Sequence, residues 1–121
     1  MILGLDISTS ITGYTILGED GNILICDHID LRKEKNFFKK IEIVCDRLEM
    51  LDDAYKIEQV YIEQSLQSFR SGFSSAQTLS LLSKINGIVS WICYNFFYKE
   101  PKFLAATSAR KLCGIKIPKG Q

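Results

Sequence analysis

Two carboxylates stand where apolar runs would otherwise continue unbroken. Asp6 interrupts the opening stretch "MILGLDISTSITGYTIL", and Glu63 lies near the end of "QVYIEQ" at 59–64. A strand that reads as buried tolerates an acid only when a partner offsets its lost hydration, and that partner is a metal, a cation or water. Two acids brought close together repel unless a cation sits between them. Hard oxygen ligands with open coordination positions suit Mg2+ or Mn2+. Whether Asp6 and Glu63 can share a cation depends on the elements that carry them.

Other residue types in the chain suit a polyanion. Ser8, Thr9 and Ser10 follow Asp6 and can either donate to a phosphate or simply form a turn. The stretch "SLQSFRSGF" at 65–73 reads as a loop and places Phe69 beside Arg70. From Lys99 onward there are six basic residues and one acid, while the remainder has nine basic residues and thirteen acids. The net charge of +1 hides this asymmetry, and a basic end of this kind can face nucleic acid. Arg110, Lys111, Lys116 and Lys119 are the candidate phosphate contacts there, with plain solvent exposure as the alternative.

The elements follow from periodicity. Residues 2–7, 12–18 and 22–31 read as three successive strands, with Glu19-Asp20-Gly21 as a tight hairpin signal. Phe37, Phe38, Ile41, Val44, Cys45, Leu48 and Leu51 fall at helical spacing in a helix over about 34–52. A fourth strand spans 59–64. Ser74 or Ser75 is expected to cap a long helix over about 75–97, whose stripe is Leu79, Leu82, Ile85, Val89, Ile92 and Phe96. Gly87 inside that helix predicts a close helix–sheet contact. A short strand at 102–106 and a short helix from Ser108 to Gly114 complete the order βββαβαβα. Three antiparallel strands followed by crossovers predict an α/β fold, a mixed five-stranded sheet whose faces are covered by helices. Strands one and four would pair in parallel at its centre. Asp6 and Glu63 would then emerge together at the edge where open α/β sheets collect ligands.

Length and composition narrow the classes. The 121 residues fit one domain, 1–121, and 46% hydrophobic with 24% charged residues is ordinary for a soluble globular chain. No apolar stretch is long and clean enough to span a bilayer, and no export signal is read at "MILGLD", so a cytoplasmic location is expected. Cys26, Cys45, Cys93 and Cys113 are scattered, without a CxxC pair, and read as small buried hydrophobes in a reducing compartment. His28 reads as a surface or pairing residue.

The motifs together resemble the ribonuclease H-like superfamily, and within it the Holliday junction resolvases of the RuvC type. The resemblance is carried by "GLDISTSITGY", "VYIEQ", the helix "SSAQTLSLLSKINGIVSWI" and "TSARKLCG", in order over nearly the whole chain. It implies a bacterial or phage-encoded, Mg2+-dependent endonuclease that cuts branched DNA as a homodimer. Asp6 matches the family's first metal-binding acid and Glu63 the second. Leu66 by spacing, or Phe69 by chemistry, matches the side chain that stacks at the junction point. Family members take further acids from a final helix, whereas this chain stops at "KIPKGQ", so either a C-terminal truncation or an unbuilt second metal site is expected, and the resemblance then implies a nuclease while leaving open whether this chain cleaves by itself. Two alternatives stay open. One is a non-catalytic DNA-binding module of the same fold. The other is a nucleotide-binding piece of an actin-like ATPase, in which the Ser/Thr stretch after Asp6 would cradle phosphates.

Overall fold

The computed structural model describes residues 1–64, 76–97 and 100–105. Strands β1 (Ile2–Asp6), β2 (Ile11–Leu17) and β3 (Ile23–Asp30) are followed by α1 (Phe37–Ala54), β4 (Gln59–Gln64), α2 (Ala76–Phe97) and β5 (Lys102–Ala105). They form one five-stranded sheet in the order β3-β2-β1-β4-β5. The first three strands pair antiparallel, and β4 pairs in parallel with both β1 and β5. The expected α/β architecture is therefore present, with β1 at the centre. The short helix expected after Ser108 and the loop at 65–73 lie outside the described residues.

The strands show why this sequence makes a one-sided core. Leu3 and Leu5 on β1, Tyr14 and Ile16 on β2, and Val60 and Ile62 on β4 alternate inward and are nearly inaccessible. They join Val44 and Leu48 of α1 and Ile85 and Val89 of α2 in a single apolar cluster. Both helices thus lie over the same face of the sheet. Sequence reading expected helices on its faces generally; among the described residues no helix covers the opposite face. Arg47 of α1 locks that helix to the sheet, donating to the Tyr14 hydroxyl at 2.7 Å. Its guanidinium carbon stands 5.6 Å from the Tyr14 ring centroid.

Three expectations within the helices are corrected. α1 begins at Phe37 rather than 34, because the Asn36 side chain accepts from the amides of Phe38 and Lys39 at 3.0 and 3.1 Å and fixes the first turn there. Phe38, expected on the apolar stripe, is 70% exposed; Ile41, Val44, Leu48 and Leu51 define the buried side. Gly87 makes no close approach: a Cβ there would meet nothing within 4 Å among the described residues. The hairpin signal held, with Gly21 at φ 82 and its amide donating to the Gly18 carbonyl at 3.0 Å. Cys93 is buried as expected, but Cys26 is exposed on β3.

Candidate functional site

β1 and β4 run in register with Leu5 opposite Ile62. The next residue on each strand is a carboxylate, Asp6 on one and Glu63 on the other. Adjacent strands lie about 5 Å apart, and residues in the same phase share a face. Leu5 and Ile62 face the core, so Asp6 and Glu63 stand on the other side, side by side at the C-terminal edge. Asp6 is exposed and Glu63 half-buried. The cost of burying a lone carboxylate therefore does not arise at Asp6. Its neighbours Leu5 and Ile7 are 3% and 1% exposed and made the whole run read as interior, while the strand's alternation turns Asp6 outward. On its other side Asp6 pairs with Gly13. A Cβ at Gly13 would lie 3.9 Å from the Asp6 Cβ, so glycine keeps that flank of the carboxylate open.

The turn after β1 is built from hydroxyls. Thr12, fully buried, donates through Oγ1 to the Ser8 carbonyl at 2.9 Å and accepts from the Ser8 amide at 3.2 Å. Ser8 Oγ in turn accepts from the Ser10 amide at 3.1 Å and lies 3.0 Å from Ser10 Oγ. From α1, Lys40 Nζ donates to the Thr9 carbonyl at 2.5 Å, and the Leu31 amide donates to the Ser10 carbonyl at 2.7 Å. The turn is thus held from below by Thr12 and from the side by α1 and the end of β3. Sequence reading took Ser8 as a candidate and missed Thr12 and Lys40. Thr12 carried a usable signal, a polar residue in phase with Tyr14 and Ile16. Lys40 carried none, because 31 residues separate it from Thr9.

The same edge holds an ion pair at its β3 corner. Arg32 grips Asp30 with two hydrogen bonds, Nε to Oδ1 at 2.9 Å and Nη2 to Oδ2 at 2.7 Å. These bonds hold the Asp30 carboxyl well below the usual carboxylate range.

Two acids at an open edge suit a hydrated hard cation, which keeps several waters and takes only one or two protein carboxylates. Among the described residues, no third His, Cys, Asp or Glu joins them in a cluster. Glu100 is the only acid in the sequence after Glu63. Leu66, Phe69, Arg70, Arg110, Lys111, Lys116 and Lys119 lie outside the described residues, as do Ser74 and Ser75. No described helix is long and apolar enough to cross a membrane.

Three antiparallel strands leading into a parallel pair, with crossover helices against the sheet, define the ribonuclease H-like fold. Within that fold class, the chain is similar to a Thermus thermophilus RuvC solved in complex with a Holliday junction substrate. That match has a TM-score of 0.71 and 11% identity, over 91% of this chain and 67% of that one. A second Thermus thermophilus RuvC structure matches with a TM-score of 0.61 and 12% identity, over 91% of this chain and 66% of that one. At such identity the likeness is one of fold, and the chain spans about two thirds of the length of these structures. No family model and no curated protein matches the sequence. The resemblance to RuvC-type resolvases, read from short motifs, thus extends to the arrangement of the whole sheet.

Proposed function

We propose that this chain is the ribonuclease H-like domain of a metal-dependent endonuclease acting on branched DNA, with the four-way junction as its substrate. The observation that carries the reading is the register of β1 and β4, which sets Asp6 and Glu63 level on one face at the C-terminal sheet edge. Asp6 and Glu63 would hold Mg2+ or Mn2+ through their carboxylate oxygens. When bound, the cation supplies an activated water and stabilises charge on the phosphodiester. Ser8 and Ser10, on a turn fixed by Thr12 and Lys40, would donate to phosphate oxygens beside the carboxylates. Phe69 or Leu66 would stack at the branch point, with Arg70 beside it. Arg110, Lys111, Lys116 and Lys119 would contact the backbone.

A C2 homodimer suits a junction of near two-fold symmetry, with one site per subunit. Trp91 and Tyr94, 66% and 53% exposed on α2, are the residues proposed for its interface. Phe97 of the same helix faces the core at 7% exposure and is not part of it.

A second reading, a junction-binding module without cleavage, is favoured by the lack of a third His, Cys, Asp or Glu clustered with the two carboxylates among the described residues. One assay separates the two: a synthetic four-way junction incubated with the chain, with and without Mg2+. The nuclease reading expects Mg2+-dependent nicking that Asp6→Asn and Glu63→Gln abolish, with binding retained, because affinity comes mainly from phosphate contacts. Binding without nicking selects the module. Nicking by either variant at the wild-type rate refutes the assignment of Asp6 and Glu63.

A further inference from the structure

Five of the nine basic residues that precede Lys99 fall within nine positions, Arg32 to Lys40, with Glu34 as the only acid among them. Spread over the chain this cluster is lost in a net negative balance; the fold concentrates it. β3 runs parallel to β1 and ends at the same sheet edge, since Ile11 at the start of β2 pairs with Asp30. The segment after β3 therefore starts at the edge that carries Asp6 and Glu63. Two bonds fix it there: the Leu31 amide to the Ser10 carbonyl at 2.7 Å, and Lys40 Nζ to the Thr9 carbonyl at 2.5 Å.

Within this segment the charges divide by role. Arg32 is engaged by Asp30 through two hydrogen bonds. Lys40 is half-buried and engaged by Thr9. Lys33, Lys35 and Lys39 are exposed. Phe38, 70% exposed, stands among them with its ring edge-on to Phe37 at 5.7 Å. The acids of α1, Glu42, Asp46, Glu49, Asp52 and Asp53, all follow Lys40, so the basic end of the helix is the end at the carboxylate edge. Lysines at the start of a helix oppose its dipole, and an Asp or Glu would be the stabilising choice there. Helix stability thus does not explain them.

We infer that Lys33, Lys35 and Lys39 form a second phosphate-binding patch, which holds the backbone of a DNA arm beside Asp6 and Glu63. This rests on the proposed action on branched DNA and adds to it a contact surface made by residues other than those of the basic C-terminal end. β3 lies two strands from β1, about 10 Å across the sheet. A duplex carries one phosphate per 3.4 Å of axis on each strand, so the patch would take phosphates a few nucleotides from the one at the carboxylates. An exposed aromatic ring among ammonium groups favours nucleic acid over an acidic peptide, since a base can stack on it.

The test is the salt dependence of four-way-junction binding, measured without Mg2+ for the full chain, for Lys33→Gln/Lys35→Gln/Lys39→Gln, for Lys33→Gln/Lys35→Gln, and for Lys56→Gln. Lys56 sits at the opposite sheet edge, where the Glu58 amide meets the Met1 carbonyl at 2.8 Å. Each lost phosphate contact lowers the slope of log K against log salt by about 0.9. The triple variant is expected to lose roughly 2 to 3 from the slope and the double variant roughly 2. Lys56→Gln is expected to leave it unchanged. A wild type that binds with a slope the triple variant keeps overturns the patch alone, and is the result a surface for an acidic protein would give. A slope that falls equally in Lys56→Gln also overturns it. A wild type that binds no junction overturns the functional reading and the patch with it.

Discussion

Thr12 is the residue on which the turn beside Asp6 depends, and Thr12→Val isolates its hydroxyl. Valine keeps the shape, the β-branching and the strand preference of threonine, so the change opens no cavity. It removes one donor and one acceptor. The Ser8 carbonyl loses a bond of 2.9 Å and the Ser8 amide one of 3.2 Å, both in a part-buried setting. At about 1 kcal/mol for each bond, the expected loss is about 2 kcal/mol. In urea, with a slope of about 2 kcal/mol per molar, the midpoint falls by about 1 M. On heating, a chain of this size loses about 8 °C. Thr12→Ser is the matched control. It keeps the hydroxyl and gives up one buried methyl, worth about 0.8 kcal/mol, so it should unfold after the valine variant. A valine variant as stable as wild type, or more stable than the serine variant, would refute the role given to the hydroxyl. Because the turn also positions Ser8 and Ser10, the valine variant should weaken junction binding under conditions where it is still fully folded.

Gly87→Ala should stabilise the chain by about 0.5–1 kcal/mol in urea titration, since the site is helical and open and alanine loses less backbone entropy on folding. Iodoacetamide applied to the native protein, with sites mapped by mass spectrometry, should label exposed Cys26 and spare Cys93 until unfolding. Burial pushes the Cys93 thiol up to about 12 from its ordinary 9.0. The unfolded chain therefore ionises first, and stability should fall as pH rises from 9.0 toward 12, with Cys93→Ala flattening that limb. The depressed Asp30 carboxyl works in the opposite sense. Its pairing with Arg32 contributes above the ordinary carboxylate range and is lost as pH falls below it. The acid limb of a pH–stability curve should therefore be shallower in Asp30→Asn, which loses the contribution at neutral pH and converges with wild type in acid.

The order of elements was legible from the chain because each signal is local. Alternation marked the strands, Gly21 the hairpin, and three-to-four spacing both helices. The pairing of Asp6 with Glu63 was also within reach, because β1 and β4 are joined by a crossover, and short apolar strands with a crossover between them commonly pair in parallel. What only the tertiary structure decided is which side each residue faces and which distant residues meet. Asp6 read as buried because Leu5 and Ile7 flank it, whereas a strand sends alternate residues to opposite faces and the described helices cover just one of them here. Phe38 read as core by spacing, yet the Asn36 cap sets the helix phase and turns it to solvent. Gly87 read as a contact and proved open. The basic run from Arg32 to Lys40 is plain in the sequence but is outweighed there by the surrounding acids. It became part of the site only when β3 proved to end at the carboxylate edge and Lys40 reached across 31 residues to Thr9. Composition averages charge along the chain, while binding sums it over a surface, and the fold alone defines that surface.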